Sequence, residues 1–209
     1  MNVIGNNCGS SFYYKEKGLK FKNPFVWAAI TPDDMIYLIE NYDNINFNDY
    51  NLVDLDKNLF KSNNLISQKI KDGGNIKGIQ IDKKITAYYT HYLDNTIIEH
   101  FKDSIDVYCE DNKKYVIDKY VKRLDRMTEK PIFLIITYQH HNWTKSDVEK
   151  LSKLKTNKPI ILITQYDFNY PNNISFIKDD LLDLNSKNII NNHFEEINSI
   201  IENYYEATL

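Results

Sequence analysis

"PIFLIITYQHHNWTKSDVEKLSKLKTNKPIILITQY", residues 131–166, decides the fold. "PIFLIITY" (131–138) and "KPIILITQY" (158–166) are continuous apolar runs without polar alternation, the pattern of strands buried on both faces. "TKSDVEKLSKL" (144–154) between them has helical spacing. Buried strand, helix, buried strand is the grammar of a parallel sheet with crossover helices.

The same alternation extends outward. "NKKYVIDKYVKRLDRM" (112–127) reads as the helix before the first of these strands, a weak strand follows near Ile174–Ile177, and a helix from about Asn192 to Tyr205 closes the chain. Upstream, Val3 and Ile4 begin a short first strand, and Ser10 or Ser11 can cap a helix running to about Lys17. "PFVWAAI" (24–30) suits a buried strand or core segment. "TPDDMIYLIENY" (31–42) reads as a helix with Thr31 as N-cap, Pro32 in the first turn, and Asp33 and Asp34 on the positive helix end. "KITAYYTHYL" (84–93) is rich in strand formers. The polar stretch 44–80, with its Gly73-Gly74 pair, reads as an irregular insertion. The expected fold is α/β, a single domain over 1–209 with three layers (α/β/α) and a mainly parallel, Rossmann-like sheet.

At 209 residues and 42% apolar content the chain supports one substantial core. Its net charge of −3 gives no general attraction to nucleic acid or to an anionic membrane surface. No apolar run approaches the roughly 20 residues that span a bilayer, and residues 1–11 lack a basic-then-apolar leader, so an intracellular, cytoplasmic protein is expected. Cys8 and Cys109 are far apart in such a chain, and no disulfide is expected. No CxxC or HxxxH pair offers zinc spacing, and neither metal nor cofactor is expected.

Chemistry points first to "NVIGNNCGSS" (2–11). There Cys8 sits among turn formers where a strand ends and a helix begins, and a helix N-terminus offers backbone N–H groups and a positive dipole end that favour a thiolate. The same N–H groups can hold an oxyanion, and Gly5 and Gly9 allow close backbone approach. The alternative is a buried, inert thiol in a tight turn. The stretch can also cradle an anion, although it has neither GxGxxG nor Walker spacing. A nucleophile needs a base: His91 lies at the end of a predicted strand, His140 and His141 occupy an equivalent place after residue 138, and His100 and His193 read as surface residues. On the helix 112–127, Val116, Ile117, Tyr120, Leu124 and Met127 form the core face. Lys119, Lys122, Arg123 and Arg126 form a basic stripe opposite, either solvated or a clamp for phosphate or carboxylate.

The combination of "VIGNNCGSSFYYKEKGLKFKNPFVWAAITPDDMIYLI", the later "THY", and "KYVKRLDRM" before "PIFLII" resembles a family of bacterial and large-virus proteins described as papain-like cysteine peptidases. It also resembles a sister family found beside capsule and exopolysaccharide biosynthesis genes. The likeness is best over residues 2–42 and 115–165. Gly5, Asn6, Asn7 and Cys8 match the family's turn, Pro24, Phe25 and Trp27 its Pro-Phe-aromatic segment, His91 its mid-chain histidine, and Arg123 and Arg126 its Arg-x-x-Arg helix. Val26 stands where the peptidase-like branch has an acidic residue.

The resemblance implies a cysteine-dependent hydrolase or acyl-type transferase in surface-glycan synthesis or modification. Cys8 would be nucleophile and His91 general base, with Asn6, Asn7 and Gly9 at the oxyanion. Ser10, Arg123 and Arg126 would bind a small-molecule or glycan substrate such as a sugar nucleotide. The rival reading is a glycosyltransferase-like or non-catalytic sugar-nucleotide-binding domain in which Cys8 is structural.

Overall fold

The computed structural model describes residues 1–54, 77–88, 111–127, 130–137, 143–180 and 186–207. Four strands, β1 (Asn2–Gly5), β6 (Pro131–Ile136), β7 (Ile160–Thr164) and β8 (Ile174–Lys178), form a sheet in the order β1-β6-β7-β8. Every pairing in it is parallel, with Val3 opposite Ile132, Leu134 opposite Ile161, and Ile161 opposite Ser175. Four others, β2 (Ala29–Ile30), β3 (Tyr50–Asp54), β4 (Lys77–Ile81) and β5 (Ile85–Tyr88), form an antiparallel sheet in the order β2-β5-β4-β3. The chain is therefore α/β with two sheets, where one mainly parallel sheet is expected from the sequence.

The second sheet corrects two expectations. The stretch 44–80 supplies a pair of strands at its ends, Tyr50 opposite Ile81 and Asp54 opposite Lys77, although the run between them lies outside the described residues. Asp82 and Lys83 both take left-handed backbone, φ 51° and 56°, and Lys84 N–H closes on Ile81 O at 3.0 Å. That turn has the mirror-image twist that suits a hairpin. "PFVWAAI" reaches strand conformation only at Ala29–Ile30, because Trp27 at φ 64° breaks the extended path.

Among the described residues the α-helices are α1 (Gly9–Glu16), α2 (Pro32–Asn41), α3 (Asp111–Leu124), α4 (Lys145–Ser152), α5 (Ser186–Asn192) and α6 (Phe194–Glu206). Thr31 Oγ1 accepts from Asp34 N–H at 3.3 Å and starts α2. Thr144 and Asp147 form a reciprocal capping box that starts α4. The expected closing helix, about 192–205, is α6, and α5 precedes it as an additional helix, the two separated at His193.

Alternate residues of the parallel strands feed two apolar clusters, as period-2 side-chain geometry requires. Ile4, Phe133, Ile135 and Leu162 pack with Met35 and Leu38 of α2, Tyr120 of α3, Val148 and Leu151 of α4, and Ile79 and Ile81 of β4. Val3, Ile132, Leu134, Ile136, Ile161 and Ile163 pack with Tyr13 and Tyr14 of α1, Ile189 and Ile190 of α5, and Ile197 and Ile201 of α6.

β1 ends the parallel sheet, so its outer backbone groups need other partners. Val3 N–H donates to Tyr14 Oη at 2.9 Å, Asn23 Nδ2 donates to Val3 O at 2.7 Å, and Asn2 N–H donates to Tyr205 Oη at 2.6 Å. Burial of Tyr14 pushes its hydroxyl up to about 12, against the lowering effect of the Val3 and Asn23 hydrogen bonds, so it remains a neutral donor and acceptor there.

Candidate functional site

Cys8 lies just beyond the C-terminal end of β1, at the N-cap position of α1, and is 9% exposed. Its backbone is helical (φ −66°, ψ −5°), and its carbonyl accepts the first helical bond, from Phe12 N–H at 3.1 Å. Neither Ser10 nor Ser11 is the cap: both lie inside the first turn. Asn7 does that work from one residue upstream of Cys8, its Oδ1 accepting from Gly9 N–H at 2.7 Å. Gly9 is needed where α1 meets β6. A Cβ there would stand 2.6 Å from Ile136 Cδ1.

Asn6 ties the turn to the sheet. Its Nδ2 donates to Ile136 O at 3.0 Å and its Oδ1 accepts from Ile136 N–H at 3.0 Å, so the amide extends the parallel ladder past the end of β1. Asn6 O accepts from Ile30 N–H at 3.0 Å, joining the turn to β2. This commitment directs Asn6 to positioning, away from the oxyanion role expected of it. Gly9 N–H is likewise engaged by Asn7. Asn7 Nδ2 is the loosest of the three expected oxyanion donors, held to Ile136 O at 3.4 Å.

The two serines differ. Ser11 Oγ accepts from Trp27 N–H at 2.8 Å, anchoring the segment 23–28 to the first turn of α1. Ser10 Oγ is fully buried and has no hydrogen-bond partner among the described residues; it lies against the backbone of Gly5, where a Cβ would meet it at 2.8 Å.

The basic stripe divides. Arg123 turns inward to 4% exposure, its Nη1 donating to Val26 O at 2.8 Å and its guanidinium lying 5.5 Å from the Phe21 ring centre. Arg126 stays exposed and folds back on its own helix, Nε donating to Lys122 O at 2.9 Å. A continuous solvated stripe is thus corrected: a backbone carbonyl in an irregular segment draws one arginine out of it. Val26 O and Trp27 N–H belong to one peptide unit, so that unit links Arg123 on α3 to Ser11 on α1. Burial first, then the charges of Arg123, Lys122 and Arg126, hold the Lys119 ammonium below the usual lysine range.

Of the histidines, His91, His100, His140 and His141 lie outside the described residues, as does Cys109. His193, expected as a surface residue, occupies the break between α5 and α6, with Nε2 2.6 Å from Asp179 Oδ2 just past the C-terminal end of β8. Its Nδ1 lies 3.8 Å from Glu196. Asp179 and Asn23 are positioning residues that the sequence reading missed, and Ser11, expected as a helix cap, is a third. The Asn-Pro dipeptide at 23–24 was a signal for a turn; nothing local pairs residues 179 and 193. Among the described residues no group of three His, Cys, Asp or Glu is placed to hold a metal ion.

The C-terminal edge of the parallel sheet thus carries the Cys8 turn at β1, a Thr137 Oγ1–Thr164 Oγ1 hydrogen bond of 2.6 Å at the ends of β6 and β7, and the Asp179–His193 pair beyond β8. Ligands of open α/β sheets bind along this edge. No family model matches the chain, and no curated protein does.

Proposed function

We propose that the chain is a cysteine-dependent hydrolase or acyl-type transferase acting in surface-glycan synthesis or modification in the cytoplasm, with Cys8 as nucleophile. The observation that carries this is the position of Cys8: N-cap of α1, immediately past the end of a parallel strand. The positive end of the helix favours a thiolate there and opposes the cost of its burial. The resemblance to the cysteine peptidase family and its glycan-associated sister supports the same residue. So does the rigidity of the turn, which Asn6, Asn7 and Ser11 hold from three directions.

In the proposed reaction His91 takes the thiol proton as the sulfur attacks a substrate carbonyl. The C–S bond forms, the oxyanion is held by Asn7 Nδ2, and collapse expels the leaving group with the proton from His91. Water, or an acceptor hydroxyl, then attacks the thioester carbon and regenerates the thiol. We read the architecture as a three-layer, Rossmann-like one, supported by the apolar clusters on the two faces of the parallel sheet.

The 9% exposure of Cys8 favours the rival, a sugar-nucleotide-binding domain with a structural thiol. Cys8→Ser separates the two. A nucleophile requires that hydrolysis of thioester and ester model substrates vanish with the fold intact. The binding domain requires stabilisation by a sugar nucleotide, unchanged in Cys8→Ser, and no turnover in either protein.

A further inference from the structure

We propose that β8 is an interaction surface that takes a second copy of this chain, the two strands pairing antiparallel about a two-fold axis at Phe176. The two margins of the parallel sheet differ. At β1 the outer backbone groups are occupied by Tyr14, Asn23 and Tyr205. At β8 the register fixes which groups face out. Ile160 N–H donates to Asn173 O at 2.9 Å and Asp179 N–H to Thr164 O at 3.2 Å, so the odd-numbered residues turn their peptide groups toward β7. By alternation, residues 174, 176 and 178 turn theirs away. Ile174 N–H closes on Pro171 O at 2.9 Å. Among the described residues nothing pairs with Ile174 O, or with the N–H and C=O of Phe176 and Lys178.

The connection into β8 leaves an apolar surface beside this edge. Parallel strands are ordinarily joined through a helix that covers the sheet. Between β7 and β8 the run 165–173 returns without one. Tyr166, Phe168 and Tyr170 alternate with exposed Gln165, Asp167 and Asn169 and are themselves only half-buried. Tyr170 stacks at 4.9 Å on Phe176 of β8, which is half-buried too. The edge residues "ISFI" (174–177) carry neither proline nor charge, and an open edge of that kind, flush with half-exposed rings, is a template for another strand.

Symmetry selects the occupant. The outward groups sit at 174, 176 and 178, a set symmetric about Phe176. Antiparallel pairing of two such strands sets the two Phe176 residues opposite each other and each Lys178 opposite the other copy's Ile174. Each Phe176 N–H then donates to the other Phe176 carbonyl, and each Lys178 N–H to the opposite Ile174 carbonyl. The two Phe176 rings meet as a cross-strand aromatic pair, extended by Tyr170 on each side. The same register keeps like charges apart. The two Lys178 residues stand four positions out of line, roughly 14 Å, beyond the screening length of roughly 8 Å at physiological salt. Asp179 and Asp180 lie farther still from their counterparts, opposite Asn173 and Asn172. The Cys8 turn is on β1, at the other margin of the sheet, so the pairing is independent of the nucleophile reading.

The test is sedimentation equilibrium together with amide hydrogen exchange, from about 10 µM to about 1 mM, a range that suits the small interface of a short edge pairing. The wild-type mass should rise from 24.8 kDa toward twice that value. Over the same range the amides of Phe176 and Lys178 should gain about tenfold or more in protection, while those of Ser175 and Ile177, bonded to β7, stay protected throughout. Lys178→Pro deletes an outward N–H and touches no bond to β7, so it should fold as wild type and remain monomeric. Lys178→Gln, which loses the charge and keeps the N–H, should dimerise as wild type does. Phe176→Lys, which sets two ammonium groups opposite each other, should remain monomeric. A wild type that is monomeric at the highest concentration overturns the proposal, as does a dimer whose Phe176 and Lys178 amides exchange freely. Full protection of both amides at the lowest concentration overturns it too, by showing that a segment of the same chain covers β8. So does equal behaviour of Lys178→Pro and Lys178→Gln, whether both dimerise or neither does.

Discussion

Replacing Gly9 by alanine would put a methyl group 2.6 Å from Ile136 Cδ1 and 3.0 Å from Asn7 Oδ1, closer than carbon atoms pack. Both neighbours are buried, and Ile136 ends the central strand to which the Cys8 turn is tied. Overpacking of this kind costs about 1–3 kcal/mol, while alanine in place of glycine returns at most about 0.5–1 kcal/mol of backbone entropy. Gly9→Ala should therefore destabilise by about 1–2 kcal/mol. The structure also names the atom responsible. Ile136→Val removes Cδ1 at a cost of its own of about 0.5–1.5 kcal/mol, and the closest atom of residue 136 to the new methyl is then Cγ1, at 3.5 Å. In the Ile136→Val background, where only the 3.0 Å approach to Asn7 Oδ1 remains tight, Gly9→Ala should cost less by at least about 1 kcal/mol, a coupling read by urea unfolding. Additive effects, within about 0.5 kcal/mol, would refute the claim that this contact sets how closely α1 approaches β6.

Two further outcomes follow from buried polar groups. Asn6→Ala leaves the Ile136 N–H without its partner and its carbonyl with only the 3.4 Å bond from Asn7. It should cost about 2–4 kcal/mol in urea unfolding, at about 1–3 kcal/mol for each buried group left unpaired; a loss under 1 kcal/mol would contradict the ladder-extending role of Asn6. Asp34, expected only as a first-turn carboxylate of α2, also accepts from Thr86 N–H of β5 at 3.0 Å, and burial raises its carboxyl above the usual range although hydrogen bonds from Thr86 and Thr31 oppose this. A raised acid binds its proton more tightly in the folded state, so its stabilising contribution is present below the unfolded value of 3.8 and is lost as pH rises through the folded one. The stability of wild type relative to Asp34→Asn should accordingly grow as pH falls from 7 to 4, and a difference that shrinks on acidification would contradict this.

The parallel sheet was legible because a strand buried on both faces is apolar along nearly its whole length, and "PIFLII" and the first four residues of "IILIT" are. The start of α2 was legible because Thr31 and Pro32 act locally. The antiparallel sheet was not: Ala29–Ile30 is too short for a period, and Tyr50–Asp54 pairs with residues 77–81, a partnership that no local pattern encodes. The Cys8 turn could be placed from its Gly and Asn content, but which amide caps the helix and which extends the sheet depends on one residue of register. Arg123 shows the same limit. Residue type placed it on a basic stripe, solvated or a clamp, and neither reading foresaw that it turns inward to a single carbonyl at Val26.

The nucleophile claim meets its most direct test in the second-order rate of Cys8 alkylation by iodoacetamide, measured against pH on a Cys109→Ser chain in which Cys8 is the sole thiol. The account predicts that the native protein near neutral pH reacts faster than the same chain unfolded in urea, with the excess disappearing above about pH 8.5, where an ordinary thiol is itself ionised. A native rate below the unfolded one across the whole range would identify Cys8 as a buried structural thiol and contradict the account.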